Sequence, residues 1–450
     1  MKTTKLLEHN RKSKNSEYSM TRRGFLKKTA VIGAGTLAGG LLLADRWPFV
    51  STGRAADIVY TAPSLPVPYP IVDTGQVTCY GDHAPLRACP SPGGDYYGQD
   101  AQYLGFAPSY RDNNDGTITD LVTGLMWQKT PGEKISWQDA MDGAGSLSLA
   151  GYSDWRMPTI KELYSLMLFS GYSGRTISES KPYLDTDYFD FEYGDTSKFE
   201  RIIDCQYWSA TKYTGVTMGG NVTAFGVNFA DGRIKGYGIE DPRREYVHTL
   251  FVRYVRGNPD YGVNDFVDNN DDTITDRATG LMWTKADSGI LEAKKNGALN
   301  WEEALEWAEG LTAAGFSDWR LPDAKELQSI VDYTRSPQAT GSPAIDPVFS
   351  TSAITDEGDG VNYPCYWTGT SHVEGPGAEK AVYVAFGEAL GYFARPPGTS
   401  TATLMDVHGA GAQRSDPKSG DPSQFEGGRG PQGDVIRIYN YARAVRTAGD

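Results

Sequence analysis

Polar turn residues and short apolar runs alternate along most of this chain, and they do so twice in the same order. Asp112-Asn113-Asn114-Asp115-Gly116 between Tyr110 and Thr117-Ile118-Thr119 predicts a hairpin, since Asn, Asp and Gly tolerate the backbone of a tight turn. Ser136-Trp137-Gln138-Asp139 and Asn300-Trp301-Glu302-Glu303 then predict helix starts, each with an N-cap and an acid at the third helical position. Thr159-Ile160-Lys161-Glu162 and Asp323-Ala324-Lys325-Glu326, both just after a proline, predict two more. The apolar residues that follow fall at helical spacing: Leu163, Leu166 and Met167, then Leu327, Ile330 and Val331. Residues 224–232 and 383–393 alternate and are punctuated by glycine, which predicts strands. Each unit therefore reads as a hairpin, two helices and an antiparallel sheet closed by a terminal strand, an α+β arrangement.

The duplication extends to whole motifs. Asp112–Asp120 is echoed by Asp268–Asp276, and Thr123-Gly124-Leu125-Met126-Trp127 by Thr279-Gly280-Leu281-Met282-Trp283. Gly151-Tyr152-Ser153-Asp154-Trp155-Arg156-Met157-Pro158 recurs as Gly315-Phe316-Ser317-Asp318-Trp319-Arg320-Leu321-Pro322. Tyr207-Trp208 matches Tyr366-Trp367, Ala224-Phe225-Gly226 matches Ala385-Phe386-Gly387, and Val252–Arg256 matches Ala442–Arg446. The offsets are 156, 164, 159, 161 and then 190 residues, so the second copy carries about 29 extra residues before its closing strand. A period near 160 is domain duplication, well above the 20–50 residues of a solenoid repeat. The expected division is a signal over 1–56, an N-terminal segment over 57–109, and repeats over 110–257 and 265–447. Residues 395–433 of the second repeat, rich in Gly and Pro, are expected to form a long loop.

The N-terminus sets the compartment. Thr21-Arg22-Arg23-Gly24-Phe25-Leu26-Lys27 is a twin-arginine pattern, followed by a 15-residue Gly/Ala-rich apolar run over Ala30–Ala44 and small residues at Gly53-Arg54-Ala55-Ala56. That order predicts export through the twin-arginine machinery to the periplasm or beyond. The run is too short to span a membrane, which takes about 20 residues. Residues 1–56 hold 11 of the 43 Lys+Arg and 3 of the 57 Asp+Glu, leaving 32 basic against 54 acidic residues, a net charge of −22. A surface that acidic opposes nucleic acid, anionic membrane and sulfated polysaccharide. With 52 Gly, 27 Tyr and 10 Trp the chain reads as globular, loop-rich and pinned by aromatics. Cys79 and Cys89 bracket a short loop and predict a disulfide in an oxidising compartment; Cys205 and Cys365, at matching places in the repeats, either pair or are buried as small apolar side chains.

Together these motifs resemble the bacterial domain family named for the C-terminal domain of the Legionella collagen-like adhesin. Its marks are Asp-Gly-Thr-x-Thr-Asp, Thr-Gly-Leu-Met-Trp, Asp-Trp-Arg-Leu-Pro and a closing Val-Arg-Cys-Val-Arg. The resemblance covers roughly 110–257 and 265–447 and implies a C-type-lectin-like fold used in surface binding and adhesion. The closing cysteine of the family is replaced by Tyr254 and Ala444, so a disulfide to that strand is lost in both repeats. The Trp-Arg-Leu-Pro stretch is also similar to formylglycine-generating enzymes, which use a cysteine pair near the C-terminus; no cysteine follows Cys365 here.

Candidate sites each carry two readings. Asp112, Asn114, Asp115 and Asp120, with Asp268, Asn270, Asp271 and Asp276, crowd oxygens into a turn as a calcium site does, and equally satisfy their own backbone. The first ligand position and the closing Glu of an EF-hand are missing. Trp127, Trp155, Trp208, Trp283, Trp319 and Trp367 stack sugars or pin a core; Arg156 and Arg320 fit structural ion pairs. His408, Gln413 and Arg414 are the distinctive polar residues of the long loop, and form either a binding face or packing between repeats. The five histidines lie apart from one another and from cysteine, which argues against zinc, and no nucleophile or phosphate-binding motif appears. The expected protein is thus an exported, non-enzymatic binding protein for a glycan or a surface protein, without a certain cofactor. The alternative is a structural component of a surface assembly.

Overall fold

The computed structural model describes residues 58–64, 66–240, 247–375, 377–394 and 402–449, which belong to one compact unit. The expected export signal lies outside the described residues. Among those described, no helix is long and apolar enough to cross a membrane.

In the first repeat β1 (Tyr110–Asp112), β2 (Thr117–Asp120) and β3 (Leu125–Gln128) form the expected meander. The turn between β1 and β2 is left-handed at Asn114 (φ 58°) and Gly116 (φ 87°), which is why Asn and Gly stand there. Helices α1 (Trp137–Ser146) and α2 (Ile160–Tyr164) start where expected; the Ser136 and Thr159 hydroxyls accept from the Asp139 and Glu162 amides. Strands β4 (Gln206–Lys212), β5 (Val222–Asn228) and β6 (Arg233–Glu240) follow, and β7 (Val255–Gly257) returns to pair with β3.

The second repeat copies this order with β8 (Phe266–Asp268), β9 (Thr273–Asp276), β10 (Leu281–Thr284), α3 (Trp301–Glu309), α4 (Ala324–Ser329), β11 (Cys365–Glu374) and β12 (Gly377–Ala385). The extra residues are not the single long loop expected. They contribute most of a hairpin, β13 (Leu390–Ala394) with β14 (Ala402–Asp406); β15 (Gln413–Pro417) then pairs with β12 as β6 pairs with β5 and is the counterpart of β6, before β16 (Val445–Thr447) closes on β10. β15 escaped the sequence reading because Gln-Arg-Ser-Asp-Pro has no apolar alternation: it is a central strand that buries polar groups.

One motif match was out of register. Ser209 Oγ donates to the Phe225 carbonyl (2.7 Å) and Thr368 Oγ1 to that of Val382 (2.9 Å), so Phe225 corresponds to Val382 rather than to Phe386. Phe386 instead corresponds to Phe229, because their carbonyls accept from the Ala344 (2.8 Å) and Tyr183 (2.7 Å) amides. The repeated Ala-Phe-Gly was a coincidence of composition.

The two sheets fuse. The order β11-β12-β15-β6-β5-β4 makes one six-stranded antiparallel sheet, joined across the repeats where Gln413 pairs with Ile234. A single apolar core runs through both repeats, with a flanking cluster in each. The N-terminal segment docks onto this body: the expected Cys79–Cys89 disulfide is formed, the Lys418 ammonium donates to the Gly81 carbonyl (2.9 Å), and Gln76 exchanges bonds with the Ser371 backbone. Cys205 and Cys365 are free and buried.

Candidate functional site

His408, Gln413 and Arg414 lie together, but inside the seam between the repeats rather than on an open loop. Gln413 is fully buried in the strand that joins the two sheets. His408 Nε2 meets Asp434 Oδ1 at 3.0 Å, the Arg414 guanidinium pairs with the same carboxylate, and His408 Nδ1 has no partner. Burial, then the nearby Arg414, pushes the His408 imidazole down to about 4, so it is neutral at pH 7. The physical reason is that Gln413 and Arg414 belong to β15, the strand that pairs with β6 and joins the two sheets.

The Asp-rich turns are occupied by their own hydrogen bonds. Asp112 Oδ1 accepts from the Asn114 amide and Oδ2 pairs with Lys129 (2.7 Å); Asp268, Asn270 and Lys285 repeat this. Asp115 and Asp271 each accept from the following Thr117 or Thr273, while Asp120 and Asp276 close the next turn. Among the described residues no group of three or more His, Cys, Asp or Glu side chains is placed to hold a metal ion.

The six signature tryptophans are all buried. Arg320 is buried in a two-pronged pair with Glu326 (both 2.6 Å), and Arg156 makes the same pair with Glu162. A second pair of arginines was missed. Arg253 and Arg443 are fully buried; Arg253 donates to the carbonyls of Gln128, Lys129 and Asp190, and Arg443 to those of Thr284, Lys285 and Ser350. Their guanidinium carbons stand 5.0 Å from the ring centres of Phe189 and Phe349. The signal was present in the closing pattern: in Val-Arg-x-Val-Arg both apolar and cationic positions recur, and the first Arg points inward.

The repeats differ most on one face. In the second repeat it is covered by residues 96–103: Tyr96 lies against Trp301, Tyr103 lies 5.1 Å from the Arg320 guanidinium carbon and bonds to Glu309, and buried Asp100 accepts from Thr370 Oγ1 (2.6 Å). The close approach needs Gly369, where a Cβ would stand 3.0 Å from the Asp100 nitrogen. The first repeat has Ala210 at this place, and among the described residues nothing covers the face. Arg156 is 36 % exposed against 3 % for Arg320, and Met141 37 % against 1 % for Leu305. Thr211 accepts from the Ile160 amide as Thr370 does from that of Ala324, but no carboxylate among the described residues takes its proton. Exposed Lys212 holds its ammonium 4.4 Å from the centre of the Trp137 ring. The sequence carried this in unlike residues at matched positions: Met141 for Leu305 and Ala210 for Gly369.

No curated protein and no solved structure matches the chain. The sequence profile of the Lcl C-terminal domain matches it twice, over residues 116–256 and 272–403. The second match stops inside the insert, whereas β16 completes that domain at Thr447. Covering more than half of the chain, the two matches make this protein a tandem member of the Lcl C-terminal domain family.

Proposed function

We propose that this protein is an exported, non-enzymatic binding protein of two C-type-lectin-like domains, and that its ligand face is the uncovered face of the first repeat. The observation that carries the reading is the asymmetry at matched positions: Arg156, Met141 and Lys212 face solvent where Arg320, Leu305 and Ser371 are buried. A duplicated domain with one face sealed by its own chain retains a single face for recognition. Its mixture of an exposed methionine, a part-exposed arginine, a lysine on an indole and a threonine hydroxyl suits a glycan or a surface protein, through hydrogen bonds combined with apolar contact. The adhesin for which the family is named supports a role in adhesion, and the twin-arginine pattern supports export.

The test is saturable binding of the protein to arrays of glycans and of surface proteins, run in calcium and again with chelator. Binding lost on chelation would make recognition calcium-dependent; binding that survives would leave the Asp-rich turns as structure. The absence of saturable binding on both arrays would sink the proposal in favour of a structural role in an assembly.

A further inference from the structure

The filled face of the second repeat displays the chemistry that its residues accept. Residues 96–103 run Tyr-Tyr-Gly-Gln-Asp-Ala-Gln-Tyr. Asp100 opens a short turn, Asp100–Gln102, and its carboxylate accepts from Thr370 Oγ1 (2.6 Å) and Thr74 Oγ1 (2.8 Å). Three residues on, the Tyr103 ring centre lies 5.1 Å from the Arg320 guanidinium carbon. The hydroxyl and the guanidinium recur on the open face as Thr211 and Arg156, and there both are part-exposed.

Three matched differences shift the open face toward positive charge. Glu309, which accepts from the Tyr103 hydroxyl, is matched by Gly145; the N-cap Asp323 is matched by Thr159; and Ser371 is matched by exposed Lys212. In the second repeat the carboxylates crowd one another. Burial first and then Asp73 push Asp100 up to about 7, and burial with Glu326 and Asp100 raises Asp323. On the open face the cap is a neutral hydroxyl, Glu162 is engaged by Arg156, and Lys212 follows Thr211 directly. A carboxylate arriving there keeps its charge. Residues 57–450, with 32 basic against 54 acidic side chains, repel a polyanion, so the face favours one carboxylate over a run of them.

We infer that the open face of the first repeat takes a peptide segment that carries one carboxylate within a few residues of an aromatic ring, the carboxylate held by Thr211 and Lys212 and the ring lying over Arg156. This rests on that face being the ligand face, and it selects a peptide over a glycan. Ala210 sets the distance of approach. A Cβ at the matching Gly369 would stand 3.0 Å from the Asp100 nitrogen, so the bound segment rides a few tenths of an ångström farther out than residues 98–100 do.

The probe is a fluorescently labelled peptide with the sequence of residues 96–103, titrated with the protein and followed by anisotropy. Saturable binding is expected. Asp100→Asn in the peptide should weaken it about tenfold, the loss of a charge-assisted hydrogen bond. Tyr103→Leu in the peptide should weaken it about threefold, the loss of a cation–ring contact. In the protein, Ala210→Gly should tighten binding about threefold by relieving the close approach. No saturable binding, equal binding of the Asp100→Asn peptide, or an unchanged affinity in Ala210→Gly would overturn the inference. Peptide binding that survives Met141→Glu/Lys212→Glu undiminished would put the peptide on another surface and overturn it too. Array binding to a glycan that is lost in that double variant, with no peptide bound, would overturn the peptide and leave the face as the ligand face.

Discussion

Tyr103 lies over Arg320, its ring centre 5.1 Å from the guanidinium carbon, while the matching Arg156 of the first repeat is more than a third exposed. This relationship separates two copies of a domain that share the meander, the helix starts and the Arg–Glu pair, and differ besides in the β13–β14 hairpin. It makes the N-terminal segment part of the second repeat, and it leaves the first repeat with the open face.

Gly369→Ala tests the seal. The added Cβ would stand 3.0 Å from the Asp100 nitrogen, so the backbone of residues 98–100 has to give way by a few tenths of an ångström. The expected cost is about 1–3 kcal/mol, typical of overpacking, with faster proteolysis in the N-terminal segment. Unchanged melting and cleavage would mean that the segment packs more loosely than described.

Arg443→Leu removes a buried guanidinium that satisfies the carbonyls of Thr284, Lys285 and Ser350. Leaving those acceptors dry should destabilise the protein by about 3–5 kcal/mol in urea unfolding. Arg253→Leu should behave alike, since its contacts are the same. A loss below 1 kcal/mol in either would show that these arginines do not anchor the closing strands.

His408 gives a pH signature. Its imidazole is held down to about 4 by burial and Arg414, against an ordinary value of 6.5. A depressed histidine contributes stability that is present above 6.5 and lost as pH falls towards 4, because the unfolded chain takes the proton first. His408→Gln removes this linkage. Between about pH 6 and 4.5 the variant should lose stability less steeply than the parent, by about 1.4 kcal/mol per pH unit for one proton. Parallel pH curves would contradict the buried neutral state.

Reduction of the Cys79–Cys89 disulfide, or the Cys79→Ser/Cys89→Ser variant, opens a loop with a sequence separation of 10 that docks on the second repeat through Ala378, Lys418 and Ser419. Loop-closure entropy predicts a loss of about 2–3 kcal/mol, and calorimetry under reducing and oxidising conditions checks it.

Much of the architecture was legible. The capping boxes at Thr159 and Asp323 marked α2 and α4, the Asn- and Gly-bearing turn marked β1 and β2, and the doubled motifs marked the two domains. Those signals are local, set by neighbouring residues. What stayed hidden is long-range. β15 lies between β12 and β6, so its polar residues are buried by partners distant in sequence, and nothing within Gln413–Pro417 marks it as a strand. His408, Gln413 and Arg414, expected on a long loop, lie together in the seam, and their environment depends on that strand. The candidate face shows only when the repeats are compared position by position, as Met141 against Leu305 and Ala210 against Gly369.

The most direct test of the central claim compares array binding of the parent protein with that of Met141→Glu/Lys212→Glu, which reverses the chemistry of the open face. A control, Leu291→Glu, charges an exposed position of the second repeat. The account predicts saturable binding by the parent and the control, and a loss of tenfold or more, about 1.4 kcal/mol, in the double variant. Equal affinity in all three, with each still folded, would contradict it and move recognition away from the first repeat.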